Sequence, residues 1–264
     1  MARLDYGRAG LIGMLTPQAN TTVEPELWAL MPPGWSMINA RLTSNRPTIE
    51  ERLVDYTEKF AAVAGEFANA PITALGVGCT GPSYLIGAQR EAELIGELAQ
   101  RHNVPVHTAA SATIAALRAL GARRIGLVSP YPGALDTACG AYWRSVGFTV
   151  AARVGPDLAR GEFHPIYALE GDATLAAARR LSAGDCDAIV MLGTGMATLG
   201  PLLALAEQGG PPAISCNLAL IWALAGSGAG QEPDRDSLRR WIGGESWRAR
   251  YRMLFAPEGT QSEP

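Results

Sequence analysis

The sequence has few charges of either sign and no cluster of them. Its 264 residues carry 22 Lys and Arg against 25 Asp and Glu, a net charge of −3, and no segment concentrates the basic residues. A nucleic-acid surface or a polybasic membrane patch needs such a cluster, so we expect neither partner. No apolar run approaches the roughly 20 residues that cross a bilayer, and residues 1–8 lack the apolar core of a secretion signal. These absences predict a cytoplasmic protein.

Metal and nucleotide motifs are missing as well. The 3 histidines and 4 cysteines show neither CxxC nor finger-like spacing, so we expect no metal site. No Gly-x-Gly-x-x-Gly or phosphate-loop pattern opens a helix after the first predicted strand, so no nucleotide cofactor is implied. In a reducing compartment the four cysteines are expected to stay reduced. The sequence therefore predicts a protein that works without cofactor or metal.

The chain contains two copies of one pattern. Residues 12–17, Ile-Gly-Met-Leu-Thr-Pro, return as Ile-Gly-Leu-Val-Ser-Pro at 125–130, and residues 78–81, Gly-Cys-Thr-Gly, return as Leu-Gly-Thr-Gly at 192–195. Short β-branched runs alternate with helical patterns around these motifs, as in parallel sheets covered by helices. We predict an α/β fold of two pseudo-twofold-related parallel-sheet halves, with the active site in the cleft between them.

The repeat also sets the predicted boundaries. The N-terminal half covers 1–121, the C-terminal half covers 122–226 and an extension covers 227–264. The last helix or helices of the C-terminal half could pack onto the N-terminal half. Gly121 ends a helix just before the repeat restarts at Ile125. The predicted strands are 11–16, 36–42, 72–78, 104–108, 124–129, 148–154, 187–193 and 213–217.

Two local patterns refine this outline. Residues 48–51 have the capping-box pattern that begins a helix, and a second helix is predicted at about 83–101. The extension is rich in glycine and then holds aromatic residues among arginines, so we expect a short helix docked on the body or on a second subunit. Its last residues, 257–264, are expected to fray.

The candidate site residues follow the predicted strands. Ligands bind at the carboxyl ends of the strands in an open parallel sheet, and the repeated motifs fall there. Small residues with hydroxyl and backbone N–H groups at such turns suit a carboxylate or an enolate, so we predict a small anionic acid as the ligand. The expected binding residues are Pro17, Gln18, Asn20, Thr80, Gly81, Tyr131, Gly193, Thr194 and Gly195.

Cys79 is the candidate catalytic residue. A reduced cysteine often packs as a small hydrophobic residue, but Cys79 ends a strand just before a helix, whose N-terminus lowers a thiol pKa. We therefore predict a reactive thiolate at Cys79. The other three cysteines are expected to be structural: Cys139 within a helix, Cys186 in a turn and Cys216 at the end of a strand.

Two arginines could bind a carboxylate of the ligand. Arg41 and Arg46 follow the second predicted strand, near the mouth of the predicted cleft. An arginine suits this task because its planar guanidinium pairs with a carboxylate through two hydrogen bonds. A solvated position in the loop is the alternative.

Residues 17–24, 78–80 and 129–131 together resemble the aspartate/glutamate racemase superfamily, in the branch of maleate cis-trans isomerase, the ectoine-utilisation protein and arylmalonate decarboxylase. The resemblance spans about residues 8–226. It implies that Asn20 binds a substrate carboxylate, that Cys79 attacks a double bond and that Tyr131 donates a hydrogen bond to the substrate.

The sequence departs from this family at two positions. Racemases and maleate isomerases of the superfamily carry a second cysteine where this chain has Gly193, which argues against a racemase with two bases. Arylmalonate decarboxylase also has one cysteine, but in the second half of its chain. His164 stands where maleate isomerases place an asparagine, so it is a further candidate for binding a carboxylate.

One cysteine suits two reactions on a small dicarboxylate. In the first, a thiolate adds to maleate, the former double bond rotates and elimination gives the trans isomer. In the second, a malonate loses CO2 and the thiol protonates the enediolate. Asn20, Arg41 and Arg46 together favour the isomerase. A protein that only binds a small acid is the third interpretation, and the sequence offers Cys79 against it.

Overall fold

The computed structural model describes residues 4–157, 166–181, 186–232 and 234–255. Within these ranges the chain forms two four-stranded parallel sheets flanked by helices. The strand order is the same in both sheets, which confirms the α/β fold of two related halves that the repeat predicts. None of the helices in the described part of the chain is long and apolar enough to cross a bilayer.

The first sheet has the order β2-β1-β3-β4. Its strands are β1 (Gly10–Pro17), β2 (Trp35–Leu42), β3 (Ala74–Val77) and β4 (Val106–Thr108). The helices that follow these strands are α1 (Val23–Leu30), α2 (Ile49–Gly65), α3 (Gly81–His102) and α4 (Ala109–Leu120).

The second sheet has the order β6-β5-β7-β8. Its strands are β5 (Arg124–Val128), β6 (Thr149–Val154), β7 (Ala188–Met191) and β8 (Ala213–Ser215). The helices here and beyond are α5 (Gly133–Ser145), α6 (Gly171–Arg179), α7 (Leu199–Gln208), α8 (Cys216–Gly228), α9 (Arg235–Ile242) and α10 (Arg248–Phe255).

All eight predicted strands are present, with ends shifted by a few residues. The prediction was wrong at Cys216, which does not end a strand: β8 stops at Ser215, and Cys216 is the first residue of α8. The reason is local, because the Ser215 hydroxyl accepts the backbone N–H of Leu218 at 3.1 Å and so caps a helix at this point.

Other helix ends also follow from the sequence. Thr48 and Glu51 form the predicted capping box, in which each side chain accepts the other residue's backbone N–H. At the boundary between the halves, α4 ends on Gly121, whose φ of +73° lies in the left-handed region that favours glycine.

The two halves share one buried interior. Helix α8 follows the second sheet along the chain but packs against β3 and β4 of the first sheet and against α1 and α4. Its residues 216–225 are all buried. Helix α3 of the first half packs in turn against α5 of the second half. These exchanged contacts hold the carboxyl ends of the two sheets against each other.

The extension adds two helices, where the sequence predicted one. Helix α9 packs against α4, α7 and α8, and α10 packs against α1. Trp247, which lies between them, is fully buried, and its indole N–H donates to the carbonyl of Trp241 at 2.7 Å. Residues 257–264, which were expected to fray, lie outside the described residues.

The burial of Trp247 predicts that the extension stabilises the whole fold. Trp247→Ala should lower the free energy of unfolding by about 3–5 kcal/mol, because it leaves a large cavity. The control is Met253→Ala on α10, where the side chain is 75% exposed and the expected change is within about 0.5 kcal/mol. Urea denaturation measures both. Equal effects of the two substitutions would mean that the extension is only loosely attached.

Candidate active site

Cys79 lies in a turn between β3 and α3. This turn, residues 78–81, is called the Cys79 turn below. The Cys79 side chain is buried, and burial raises the pKa of its thiol to about 12, although the backbone N–H of Gly81 acts in the opposite direction. The predicted lowering of this pKa by the helix N-terminus was therefore wrong in direction, because desolvation outweighs it. The resting thiol is protonated at neutral pH.

The equivalent turn of the second half lies directly against the Cys79 turn. This second turn, residues 193–195, is called the Thr194 turn. The Thr194 hydroxyl donates to the carbonyl of Gly78 at 2.8 Å, and the Asn20 amide donates to the Thr194 hydroxyl at 3.3 Å. A third link joins the Thr22 hydroxyl to the carbonyl of Gly195 at 2.9 Å. The structure thus brings together the strand-end motifs that the repeat singled out.

Asn20 is held in place through the other end of its amide group. Its side-chain oxygen accepts the backbone N–H groups of Thr22 at 2.8 Å and Val23 at 3.0 Å, at the start of α1. These two bonds fix the orientation of the amide, so that its NH2 group points to Thr194. Asn20 therefore joins the first turn of α1 to the second half of the protein.

Tyr131 contributes a hydroxyl from the second half. Its oxygen lies 2.5 Å from the hydroxyl oxygen of Thr80, so the two share a short hydrogen bond across the cleft. Burial raises the pKa of the Tyr131 phenol well above its ordinary value. Tyr131 is therefore a neutral hydroxyl that can donate one hydrogen bond.

Gly193 occupies the position equivalent to Cys79, and a side chain would be strained there. Its φ is +81°, and a Cβ atom would lie 2.7 Å from Cγ of Pro130 and 3.4 Å from the hydroxyl oxygen of Tyr131. Both the backbone and the neighbours therefore favour glycine. A second cysteine at this position would require Pro130 to move, so the site has a thiol at only one of its two equivalent turns.

The Thr194 turn also presents backbone donors. The N–H groups of Thr194 and Gly195 donate to no acceptor within the described ranges. The ring of Tyr167 covers this turn so closely that a Cβ on Gly195 would lie 2.4 Å from Cδ1 of Tyr167. Buried N–H groups of this kind are suited to stabilising a developing negative charge.

Two of the predicted binding residues make contacts within the protein. Arg41 pairs with Glu24 at 2.5 Å and donates to the carbonyls of Pro17 and Asn20 at 3.2 and 3.1 Å. Gln18 is exposed, and its side-chain oxygen accepts the backbone N–H of Ser44 at 2.7 Å. These contacts hold the loop after β1 in the shape that presents Asn20. His164 lies outside the described residues.

Three residues outside the predicted site also lie near Cys79. The charge of an ionised Cys79 would contribute, after burial, to raising the pKa values of Tyr56 and Tyr167. Cys216 lies close enough to affect the Cys79 thiol, and burial raises the pKa of Cys216 to about 12. Tyr56 lies on α2, away from any strand end. Cys216 directly follows β8, so its place at a strand end was the sequence signal that could have pointed to it.

A cavity of about 880 Å³ lies elsewhere in the described part of the chain. It is lined by Trp35, His107, Trp222 and residues of α9, and none of the predicted site residues lines it. No group of three or more His, Cys, Asp or Glu in the described part of the chain could hold a metal ion.

The chain has two related halves, each with a four-stranded parallel sheet, and they meet at equivalent turns that follow the strands. This is the α/β fold of the aspartate/glutamate racemase type. Within that class, residues 12–239 match the model of the arylmalonate decarboxylase family. The chain therefore belongs to this family, whose relatives include maleate isomerases.

Relatives agree with this assignment. Maleate isomerase of Nocardia farcinica is 26% identical over 234 residues, which cover 81% of this chain and 88% of the relative. A second relative is the structure of a cysteine-to-serine variant of maleate cis-trans isomerase from the same organism, with a covalently bound succinylcysteine intermediate. Its TM-score is 0.70 at 24% identity, and the match covers 81% of this chain and 90% of that chain. A third is the liganded form of an arylmalonate decarboxylase variant with one glycine changed to cysteine and one cysteine changed to serine. Its TM-score is 0.68 at 23% identity, and the match covers 83% of this chain and 94% of that chain.

The environment of Gly193 predicts a specific cost of substitution. Gly193→Ala should lose about 1–3 kcal/mol more stability than Gly121→Ala, because both positions have a positive φ but only Gly193 is crowded. A Cβ on Gly121 meets nothing within 4 Å. Thermal denaturation of the two variants and the wild type measures the difference. Equal losses would show that Pro130 gives way without cost.

Proposed function

We propose that this protein is a cofactor-independent enzyme that acts on a small dicarboxylate through Cys79, as a maleate-type cis-trans isomerase. The observation that carries the proposal is the contact of the Cys79 turn with the Thr194 turn through the Thr194 hydroxyl and the Gly78 carbonyl. We infer that this contact brings the thiol of one half near the backbone donors of the other half. A nucleophile next to an oxyanion site is the arrangement that addition to an unsaturated acid requires.

In the proposed addition, Cys79 bonds to one carbon of the substrate double bond. The S–H and C=C π bonds break, an S–C bond forms, and the neighbouring carboxylate becomes an enediolate that takes up the thiol proton on oxygen. The N–H groups of Thr194 and Gly195 and the Tyr131 hydroxyl are the donors that we assign to this enediolate. Asn20 is assigned to the other carboxylate.

The adduct then rotates about what has become a single bond. Reversal of the first step breaks the S–C bond, restores the double bond in the trans form and returns the proton to sulfur. No proton is added to carbon at any stage, so neither a second thiol nor a base on the opposite face is needed. The single thiol of this site is therefore sufficient.

The relatives support this proposal. The curated relative from Nocardia farcinica is a maleate isomerase, and the related structure from that organism holds a succinylcysteine. A succinylcysteine is what the adduct of a thiol and maleate becomes once its enediolate has been protonated on carbon. The sequence around Asn20 and Cys79 resembles the isomerase branch of the superfamily.

The first test removes the thiol. Cys79→Ala should abolish the conversion of maleate to fumarate, followed by proton NMR, because the reacting group is lost. Cys139→Ala is the matched control, since Cys139 is also buried and burial raises its pKa to about 12. The control should keep most of the activity. Equal activity of Cys79→Ala and the wild type would rule out the thiol mechanism.

A second candidate function is favoured by the protonation of the thiol. With a pKa of about 12, Cys79 carries a proton at neutral pH, as a general acid must. A substituted malonate bound at the same donors would lose CO2, and Cys79 would protonate the resulting enediolate on one face. One related structure is a liganded arylmalonate decarboxylase variant in which a glycine has been changed to cysteine and a cysteine to serine. Its cysteine, like Cys79 here, therefore does not stand at the usual position of the decarboxylase cysteine.

The fate of solvent deuterium separates the two functions. In D2O, isomerisation of maleate should give fumarate with little deuterium on carbon, because the proposed route never protonates carbon. Decarboxylation of phenylmalonate should instead give a monoacid with one deuterium. A prochiral substituted malonate bound in the same orientation should give a chiral monoacid. Its configuration should be opposite to that formed by a decarboxylase whose cysteine lies in the second half.

Proton NMR of both incubations identifies the reaction. Fumarate formed without deuterium supports the isomerase, and CO2 release with a deuterated monoacid supports the decarboxylase. Extensive deuterium on the carbon of fumarate would contradict the addition mechanism. Turnover of neither acid would contradict both functions.

A further inference from the structure

Glu26, a residue of α1 that the proposed mechanism does not use, is a buried carboxylate beside the site. One of its oxygens, Oε1, accepts the backbone N–H groups of Thr198 at 2.5 Å and Leu199 at 3.2 Å, at the start of α7. The Thr198 hydroxyl lies 2.8 Å from the other oxygen, Oε2. A carboxylate at this place caps the helix and satisfies N–H groups that would otherwise lack acceptors.

The same carboxylate is linked to the active-site turn through Asn217 on α8. The Asn217 NH2 group donates to Oε2 of Glu26 at 2.7 Å and to the backbone carbonyl of Thr194 at 3.1 Å. Thr194 in turn donates to the carbonyl of Gly78, the residue before Cys79. Hydrogen bonds thus run without a break from Glu26 to the Cys79 turn.

We propose that Glu26 is a positioning residue, which acts through Asn217 to fix the Thr194 turn against Cys79. This proposal rests on the proposed function, because it assigns Glu26 the task of orienting the backbone donors that hold the enediolate. Preorganised donors accelerate a reaction only while they are held in place, so a loosened turn should reduce kcat more than substrate binding.

The contacts of Glu26 suit a carboxyl group rather than an amide. The partners of Glu26 are two backbone N–H groups, one hydroxyl and one NH2 group, and the first and last of these can only donate. Burial raises the pKa of Glu26, and these donors act in the opposite direction. With glutamine at this position, an NH2 group would face the NH2 group of Asn217. Asn217 would have to turn over, and its bond to Thr194 would be lost.

A matched control is available in Glu91 on α3. This carboxylate is also buried, and it accepts the hydroxyls of Ser83 at 2.7 Å, Thr108 and Tyr142. Like Glu26 it joins the two halves, but none of its hydrogen-bond partners belongs to the Thr194 turn. Substitution of Glu91 therefore reports the cost of disturbing a buried carboxylate without moving the turn.

The experiment compares Glu26→Gln, Asn217→Leu, the double variant and Glu91→Gln. We expect kcat to fall at least about tenfold in each of the first two, with KM changed less than about threefold, as for a weakened oxyanion site. The double variant should be no worse than either single variant, because both break one chain of hydrogen bonds. Glu91→Gln should keep kcat within about twofold, even where it lowers stability. A loss of kcat in Glu91→Gln equal to that in Glu26→Gln would overturn the proposal.

A second measurement does not depend on activity. Deuterium exchange of the peptide containing residues 193–195 should be faster in Glu26→Gln and Asn217→Leu than in Glu91→Gln, because only the first two release the turn. Unchanged exchange in both would overturn the positioning role. If the wild type converts no dicarboxylate, the proposed function fails while exchange still decides whether Glu26 positions the turn. Asn217→Leu keeps the test decisive if Glu26→Gln does not fold.

Discussion

The hydrogen bond from the Thr194 hydroxyl to the Gly78 carbonyl joins the two halves of this protein where two turns of the same sequence pattern, one from each sheet, meet. Asn20 and Thr22 add two more bonds across the same boundary. Because Asn20, Thr194 and Gly78 are buried, each of their polar groups needs its partner, and a misplaced turn would leave several of them unsatisfied. The polar boundary between the halves therefore fixes the geometry of the site as part of the fold.

The same burial determines the chemistry that the site can perform. Desolvation raises the pKa of the Cys79 thiol, so that it is protonated at rest. The equivalent position in the second half is Gly193, where Pro130 leaves little room for a side chain. A protonated thiol on one side and backbone donors on the other suit either addition with return of the same proton or protonation of one face. They do not suit exchange of protons between two thiols, which a racemase with two bases requires.

Much of the fold could be predicted from the sequence because its signals are local. The repeat, the alternation of strands and helices and the Thr48 capping box each depend on neighbouring residues. The site was harder to predict, because Arg41 pairs with Glu24 and Glu26 pairs with Asn217, which lies 191 residues further along the chain. The pKa of Cys79 was predicted in the wrong direction because burial by distant segments outweighs the helix N-terminus beside it.

The central claim is that Cys79 bonds covalently to a small dicarboxylate, and peptide mapping by mass spectrometry after acid quenching of a reaction with maleate tests it most directly. Because the acid protonates the enediolate on carbon, we expect a succinyl adduct on the peptide that contains Cys79, with the peptides of Cys139, Cys186 and Cys216 unmodified. Steady conversion of maleate with the adduct on another cysteine would contradict the account.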